Sequence, residues 1–391
     1  MADPMLLQPD HDFIHDVASY GAGDMKKCFQ CATCSSVCSL STEERPFPRQ
    51  QMLEAQWGMR DRLIGDPAIW LCHDCGDCTL RCPRQAHPSQ AIAAIRTLVI
   101  RSLAFPRFMG TMVAMQEYGA IIFLLSAAVL LAVAILPLPH ATAGHPLVFA
   151  QMFPKSRLEP LFYVASGMAV LAMVVGAARF IRALRANGVK GAILPSLIPA
   201  LIEIVAHRRF ASCSRGQKRR IGHMFVLSAF IGLALMGTIV GLGSMFKLID
   251  TPIPLENPLK LFANLCALVL LAGVVLLFWN RIADREKRTH STFCDWQFLV
   301  VLGGAGLTGG LSEIFRLMQI DPWMFLIYYI HLALVLTLIF CAPYLKLAHF
   351  LYRTLAVAAT WEEIHSTGRA SAGSRDVQVI SQAAAGLHRE S

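Results

Sequence analysis

Beyond residue 118 the chain is built from six apolar runs, at approximately 118–139, 159–182, 221–246, 258–280, 293–315 and 322–346. Each is long enough to cross a hydrocarbon core of roughly 30 Å, which takes about 20 helical residues. With 55% hydrophobic residues, 16% charged residues and a mean hydropathy of +0.50, the composition is that of an integral membrane protein rather than a soluble globule.

Charge then sets the expected topology. The net charge of +9 does not sit on a separable domain, which argues against nucleic acid as a partner; it lies between the apolar runs. The connection from Arg179 to Arg220 carries ten Lys/Arg against one Glu, and "NRIADREKRTH" is basic too, whereas the alternate connections are poorer in positive charge. By the positive-inside rule both termini are expected on the cytoplasmic side of a multi-pass protein of the cytoplasmic membrane. The opening "MADPMLLQPDHDF" has no basic n-region, apolar core or cleavage site, so no signal peptide is expected. "LPSLIPALIEIVAHRRF" is too short and too interrupted by proline to span, and is expected along the membrane surface. Gly237 and Gly241, and Gly306 and Gly310, have the GxxxG spacing that admits a neighbouring helix or a flat cofactor.

The predicted architecture is all-α. A small helical ferredoxin-like domain occupies residues 1–110, with "SQAIAAIRTLVIRSL" as a helix leading to the membrane. A six-span bundle follows at 111–360, then a Ser/Ala/Gly-rich tail, expected to be disordered, at 361–391.

Eight of the twelve cysteines lie in the N-terminal domain, as two runs with the spacing C-x2-C-x2-C-x3-C. Three thiolates from one short loop can hold three corners of an iron–sulfur cube, and the fourth cysteine of each run serves the other cluster. Two [4Fe-4S] clusters are therefore expected. Cys28, Cys31, Cys34 and Cys82 would hold one; Cys72, Cys75, Cys78 and Cys38 would hold the other. Structural zinc is the alternative, but zinc sites usually use two separated pairs of ligands rather than a run of four. Ser39 stands where the second run has Pro83, so the two halves are not equivalent. The isolated Cys213, Cys266, Cys294 and Cys341 read as small hydrophobes.

Ionisable side chains inside a span are costly and usually functional, and imidazole is the usual axial ligand of haem b. His331 lies inside the last run and His349 at its inner end. Eighteen residues at about 1.5 Å each put them roughly 27 Å apart on one helical face, suited to two stacked haems. His223 opens the third run at the depth expected for His349, and a haem between His223 and His349 is the first pairing. His207 and His290 are expected near the inner surface, with His207 the better further candidate. Glu313 should share the depth of His331. Together with Arg316 it suggests a quinone or proton-handling pocket; alternatively Glu313 pairs with Arg316 or caps the helix end. No GxGxxG fingerprint, P-loop or thiol-reaction pair is present, so no complete site for a soluble substrate is expected, and flavin or nucleotide chemistry would belong to a partner.

These features resemble known proteins over about residues 20–355. The eight-cysteine domain resembles the iron–sulfur C subunit of heterodisulfide reductases. The membrane half, through "RRIGHMFVLSAF", "DWQFLVVLGGAGLTGGLSEIFR" and the His331/His349 pair, resembles their cytochrome b subunit and, more distantly, the gamma subunit of respiratory nitrate reductase. The fusion of both looks like the C subunits of quinone-interacting membrane-bound oxidoreductase (Qmo) complexes. In the gamma subunit of nitrate reductase, a second inward histidine follows along the third span, whereas this chain has Phe230, Leu233 and Met236, which leaves one or two haems open. The resemblance implies electron exchange between menaquinone and flavin- and iron–sulfur-containing partner subunits, and through them adenylylsulfate reductase, in dissimilatory sulfur metabolism. The alternatives are a heterodisulfide reductase-type complex and a zinc-stabilised membrane adaptor.

Overall fold

The structure, a computed structural model, describes residues 8–115, 118–134, 147–207, 216–283 and 293–363. His290, Cys213 and the tail beyond 366 lie outside them. The described residues form helices and turns, with no strand among them.

The N-terminal domain contains α1 (His11–Val17), α2 (Thr33–Ser36), α3 (Arg49–Gln56), α4 (Arg60–Ile64), α5 (Ala68–Leu71), α6 (Asp77–Leu80) and α7 (Pro88–Leu103). Local chemistry starts several of them. The Asp10 side chain accepts from the Phe13 N–H at 2.8 Å to cap α1, and Asp66 does the same for the Ala68 N–H at the head of α5. Pro88 opens α7, where its missing N–H costs nothing.

The membrane half contains α8 (Arg107–Ala114), α9 (Gly119–Val133), α10 (Lys155–Ala186), α11 (Ile193–Val205), α12 (Gly216–Met245), α13 (Pro258–Ile282), α14 (Phe293–Met318), α15 (Trp323–Cys341) and α16 (Lys346–Ala359). Five stretches are long and apolar enough to cross a membrane, the last running from Trp323 to Ala359; α8 and α9 add a sixth only if a pair bent by 117° is counted as one span. The chain is thus a multi-pass membrane protein. Large apolar residues such as Leu171, Leu268, Val275 and Val300 are exposed on these helices, as lipid-facing side chains must be. In the bundle α12 packs on α13, α13 on α14 and α14 on α15, and α15 also meets α9 and α10. Helix α10 ends in a Schellman motif: Gly188 takes φ +80°, and the Val189 and Gly188 amides donate to Leu184 and Arg185 carbonyls at 3.1 and 3.0 Å.

One expectation is corrected. His331 and His349 do not share a continuous helix, because α15 stops at Cys341 and α16 starts at Lys346. Pro343 interrupts the backbone ladder there, and Leu345 is extended (φ −112°, ψ −150°), so five turns of helical phase do not carry across.

The cluster domain and the membrane half share one core. Trp70, Ile92, Ile95 and Leu98 of the cluster domain are buried together with Phe180 and Leu184 of α10 and Tyr352, Leu355 and Ala356 of α16. The surface helix α11 packs on α16 through Ala200 against Val357 and Ala358, while Leu194 and Ile198 on its other side are exposed.

Candidate iron–sulfur and histidine sites

The two cysteine runs fold alike. Gln30 and Asp74, each two residues after the first cysteine, take φ +58° and +54°; Ala32 and Gly76, each one residue after the second, take φ +66° and +78°. These left-handed turns precede the short helices α2 and α6, so the three near cysteines of each run lie on one tight loop. Glycine takes this conformation at no steric cost in the second loop, whereas Ala32 does so against its preference.

Cys28, Cys31, Cys34 and Cys82 line one pocket, together with Arg49, Arg84 and Pro83. Cys34 lies within electrostatic range of Cys28 and Cys82, and Cys38 within range of Cys72 and Cys75. Cys78 neighbours Cys72, Cys75 and Cys38, and the two groups adjoin through Cys34. Among the described residues no three His, Cys, Asp or Glu side chains converge closely enough for a single metal ion. The four thiols of the first group instead surround a space, and this donor set fits a [4Fe-4S] cube. A zinc ion would need its ligands converged at about 2.0–2.3 Å.

The thiols differ in environment. Burial pushes Cys34, Cys72 and Cys78 up, and Cys38 up to about 11, because a thiolate is poorly solvated there. Cys31 is exposed, and its thiol is held below the usual range by the Thr33 hydroxyl, 3.4 Å away. Backbone amides of Asp74 and Ala86 donate to the sulfurs of Cys72 and Cys82, both at 3.3 Å. Such N–H···S bonds tune cluster potentials.

The second loop is tied to the helices beneath it. Arg96 of α7 donates to the Ile69 carbonyl at 2.9 and 2.7 Å and to the Cys72 carbonyl at 2.5 Å. Arg353 of α16 donates to the Trp70 carbonyl at 2.8 Å, the Cys72 carbonyl at 3.2 Å and His73 Nδ1 at 3.1 Å. Two cations thus satisfy the carbonyls left open at the C-terminus of α5. Sequence reasoning passed over Arg353; its signal was its place one turn after His349.

His349 is half-buried, with its ring 5.8 Å from that of Trp70. His223, Arg96, Arg353 and Lys346 all lie within electrostatic range of it. His207 is brought to His223: its Nε2 is 2.8 Å from His223 Nδ1, and its own Nδ1 is 2.9 Å from the Val205 carbonyl. A carbonyl only accepts, so with both rings neutral His207 carries its proton on Nδ1 and accepts at Nε2. His223 must then carry its proton on Nδ1, which leaves Nε2 as its unprotonated nitrogen. Both nitrogens of His207 thus have partners within the protein. This is the outer-shell pattern of metal-binding histidines.

His331 follows the same pattern. Its Nδ1 is 3.0 Å from the Ala305 carbonyl and 3.3 Å from the Thr308 hydroxyl, so Nε2 is again the unprotonated nitrogen. The ring lies against Gly309, where a Cβ would come within 2.9 Å of Cε1. Of the GxxxG glycines, Gly306 admits Leu270 and Leu271 of α13, and Gly241 lies beside Tyr163; Gly237 and Gly310 have nothing within 4 Å.

Glu313 forms an ion pair with Arg316 at 2.8 Å and another, not anticipated, with Lys260 at the head of α13, also at 2.8 Å. Two cations therefore flank one carboxylate, in a largely buried cluster.

A 4Fe-4S dicluster domain model matches residues 24–86. In the same region the chain is 36% identical over 76 residues to the C subunit of the H(2):CoB-CoM heterodisulfide,ferredoxin reductase of Methanothermobacter thermautotrophicus, a match covering 19% of this chain and 41% of that protein. It is 29% identical over 110 residues to a protein of Archaeoglobus profundus that is like the C subunit of heterodisulfide reductase, covering 28% of this chain and 58% of that one. The chain thus spans only about two fifths to three fifths of the length of these relatives. A broader match, 24% identical over 363 residues, covers 84% of this chain and 88% of citrate utilization protein B of Escherichia coli. No solved structure matches the chain. What these similarities establish is a 4Fe-4S dicluster domain like that in the C subunits of heterodisulfide reductases, carried here on a multi-pass membrane segment.

Proposed function

We propose that the chain is the membrane electron-transfer subunit of a quinone-dependent oxidoreductase complex, linking the menaquinone pool through haem b and two [4Fe-4S] clusters to flavin- and iron–sulfur-containing partner subunits. The observation that carries this reading is the seating of the Cys72 loop on α16: Arg353, one turn beyond His349, holds the Cys72 carbonyl.

When bound, clusters and haem supply one-electron storage and transfer. The protein's part is to hold and insulate them. Cys28, Cys31, Cys34 and Cys82 hold the outer cluster, beside exposed Phe29 and Arg84, whose guanidinium stacks 4.0 Å over that ring. Cys38, Cys72, Cys75 and Cys78 hold the inner one. His223 and His349 ligate a haem on the cytoplasmic side, with His207 fixing the His223 ring. His331 serves a second haem, its ring oriented by Ala305 and Thr308. Glu313, with Arg316 and Lys260, handles the proton that quinone chemistry requires. Both termini are cytoplasmic in this arrangement, with the cluster domain at 1–110 and the haem-binding spans at 111–360.

Within this class the Qmo type, serving adenylylsulfate reductase, is the preferred assignment on the fused architecture. A heterodisulfide reductase-type complex is the second reading, favoured by the names of the cluster-domain relatives. The breadth of the match to citrate utilization protein B favours considering a third terminal partner. Pyridine haemochrome and iron assays on purified protein test the conduit itself. Haem and about eight non-haem irons are expected; colourless protein holding two zincs overturns it. The subunits that co-purify then decide among partners.

A further inference from the structure

Every exposed residue of α11 is apolar. Leu194, Ile198 and Ile202 are 82%, 70% and 55% exposed, and Pro195, Leu201 and Val205 complete the same helical face. The opposite face is covered by α16, through Ala200 against Val357 and Ala358. A whole protein docking surface is only about 56–58% apolar by area, so a face without one polar side chain fits lipid better than a soluble partner. The level of the helix agrees. Along the exposed side of α10, Leu171 and Val174 give way to Arg182 and Arg185, which marks the edge of the hydrocarbon. Arg185 then folds the connection back, donating to the Val189 and Gly191 carbonyls at 2.8 and 2.9 Å, so α11 starts beside the end of α10. At its other end His207 meets His223, three residues inside Arg220. Both ends thus lie near one level, and the 13 residues of α11, about 20 Å long, fit there by running along the surface.

Cations surround its start. Arg182, Arg185 and Lys190 are exposed, and no acidic residue lies between Arg179 and Glu203. Such a turn attracts anionic headgroups. The far end carries His207, whose backbone N–H donates to the Ile204 carbonyl at 3.1 Å and whose Nδ1 donates to the Val205 carbonyl at 2.9 Å. His207 is therefore an extension of the last turn of α11, and the seat of α11 decides where its Nε2 meets His223.

We propose that α11 is a lipid-binding element. Its apolar face enters the acyl-chain boundary of the leaflet on the side of the cluster domain, and the cations of the α10–α11 turn take anionic phospholipid headgroups. The depth this sets for α11 holds His207 against His223. That last link rests on the haem reading of His223; the lipid contact does not.

A photo-crosslinking residue, p-benzoylphenylalanine, placed at Ile198 of the full-length, cofactor-loaded protein reads the contact directly. In nanodiscs of mixed phosphatidylcholine and phosphatidylglycerol, irradiation is expected to add the mass of a phospholipid at Ile198, as it does at Leu171 on α10, and none at Trp57, exposed on the cluster domain. Discs of phosphatidylcholine alone are expected to lower the yield at Ile198 several-fold relative to Leu171. Arg182→Gln combined with Lys190→Gln should do the same in mixed discs. Ile198→Asp combined with Ile202→Asp loosens the seat without altering either histidine; haem is retained, and its potential is expected to rise, as for loss of the His207 imidazole.

No lipid adduct at Ile198, where Leu171 gives one, overturns the proposal. A protein adduct at Ile198 in native membranes overturns it too, since the face is then an interface with a partner. Equal yields in the two lipid mixtures overturn the headgroup part. An unchanged potential in the double Asp variant, with haem intact, overturns the link to His207. If that variant does not assemble, the wild-type potential in mixed discs against phosphatidylcholine discs decides, a rise without the anionic lipid being expected. Wild-type protein without haem overturns the conduit reading and the His207 link with it, while the lipid adducts decide the contact by themselves.

Discussion

Arg353 donates a hydrogen bond to the carbonyl of Cys72 across 281 residues of sequence, so a membrane helix holds a cysteine loop directly. The same guanidinium reaches Trp70 and His73, and Arg96 reaches Cys72 from the other side. The second loop is therefore clamped between α7 and α16.

Removing one jaw of this clamp is expected to loosen the inner cluster. In Arg353→Leu the Trp70 carbonyl loses its donor, at a cost of about 1–3 kcal/mol. Both clusters still assemble, but iron loss to a chelator becomes faster for the inner cluster than for the outer one, read by electron paramagnetic resonance over time. Equal loss from both clusters counts against the clamp.

The exchange of fourth ligands between the runs gives a sharp spectroscopic expectation. Cys82→Ser should perturb the same cluster signal as Cys28→Ser and Cys34→Ser, and Cys38→Ser the same signal as Cys72→Ser. If Cys82→Ser instead alters the signal of the Cys72 group, each run holds its own cluster.

His207 and His223 should behave differently although they touch. His223→Ala is expected to lose a haem. His207→Ala should keep that haem, with a raised potential, since an imidazole relieved of its Nδ1 partner is a weaker donor to iron. Haem content and redox titration distinguish the two, and haem loss in both variants would make His207 a ligand itself.

Two neighbouring glycines should respond with opposite sign. Gly309→Ala drives a methyl into His331 and is expected to cost about 1–3 kcal/mol and to disturb the haem assigned to it. Gly310→Ala meets open space and should be neutral or stabilising by about 0.5–1 kcal/mol, the usual helical preference for alanine. Thermal unfolding in nanodiscs measures both.

Glu313→Gln leaves Lys260 and Arg316 without their shared carboxylate. Breaking a fully buried pair costs about 3–5 kcal/mol, and the partial exposure of all three side chains reduces this to about 1–3. Adding Lys260→Gln should restore part of the loss; a strictly additive double variant would show that the two groups are uncoupled.

The membrane class, the apolar runs and the capacity for iron–sulfur ligation were all legible in the sequence, because each is written in local spacing. Runs of about 20 apolar residues need no tertiary information, nor do three thiols within seven residues, and both loops do repeat the same backbone turns. The histidines were legible as candidates, since imidazole within an apolar run is rare and costly. Their partners were not. Only tertiary structure set His207 on His223, gave Glu313 the partner Lys260, broke the helix between His331 and His349, and buried Trp70 where the two halves of the chain meet. These relationships join residues from 16 to more than 280 positions apart, or depend on a break in helical phase. Periodicity records which face of an element is apolar, but it carries no information about which other element will cover that face.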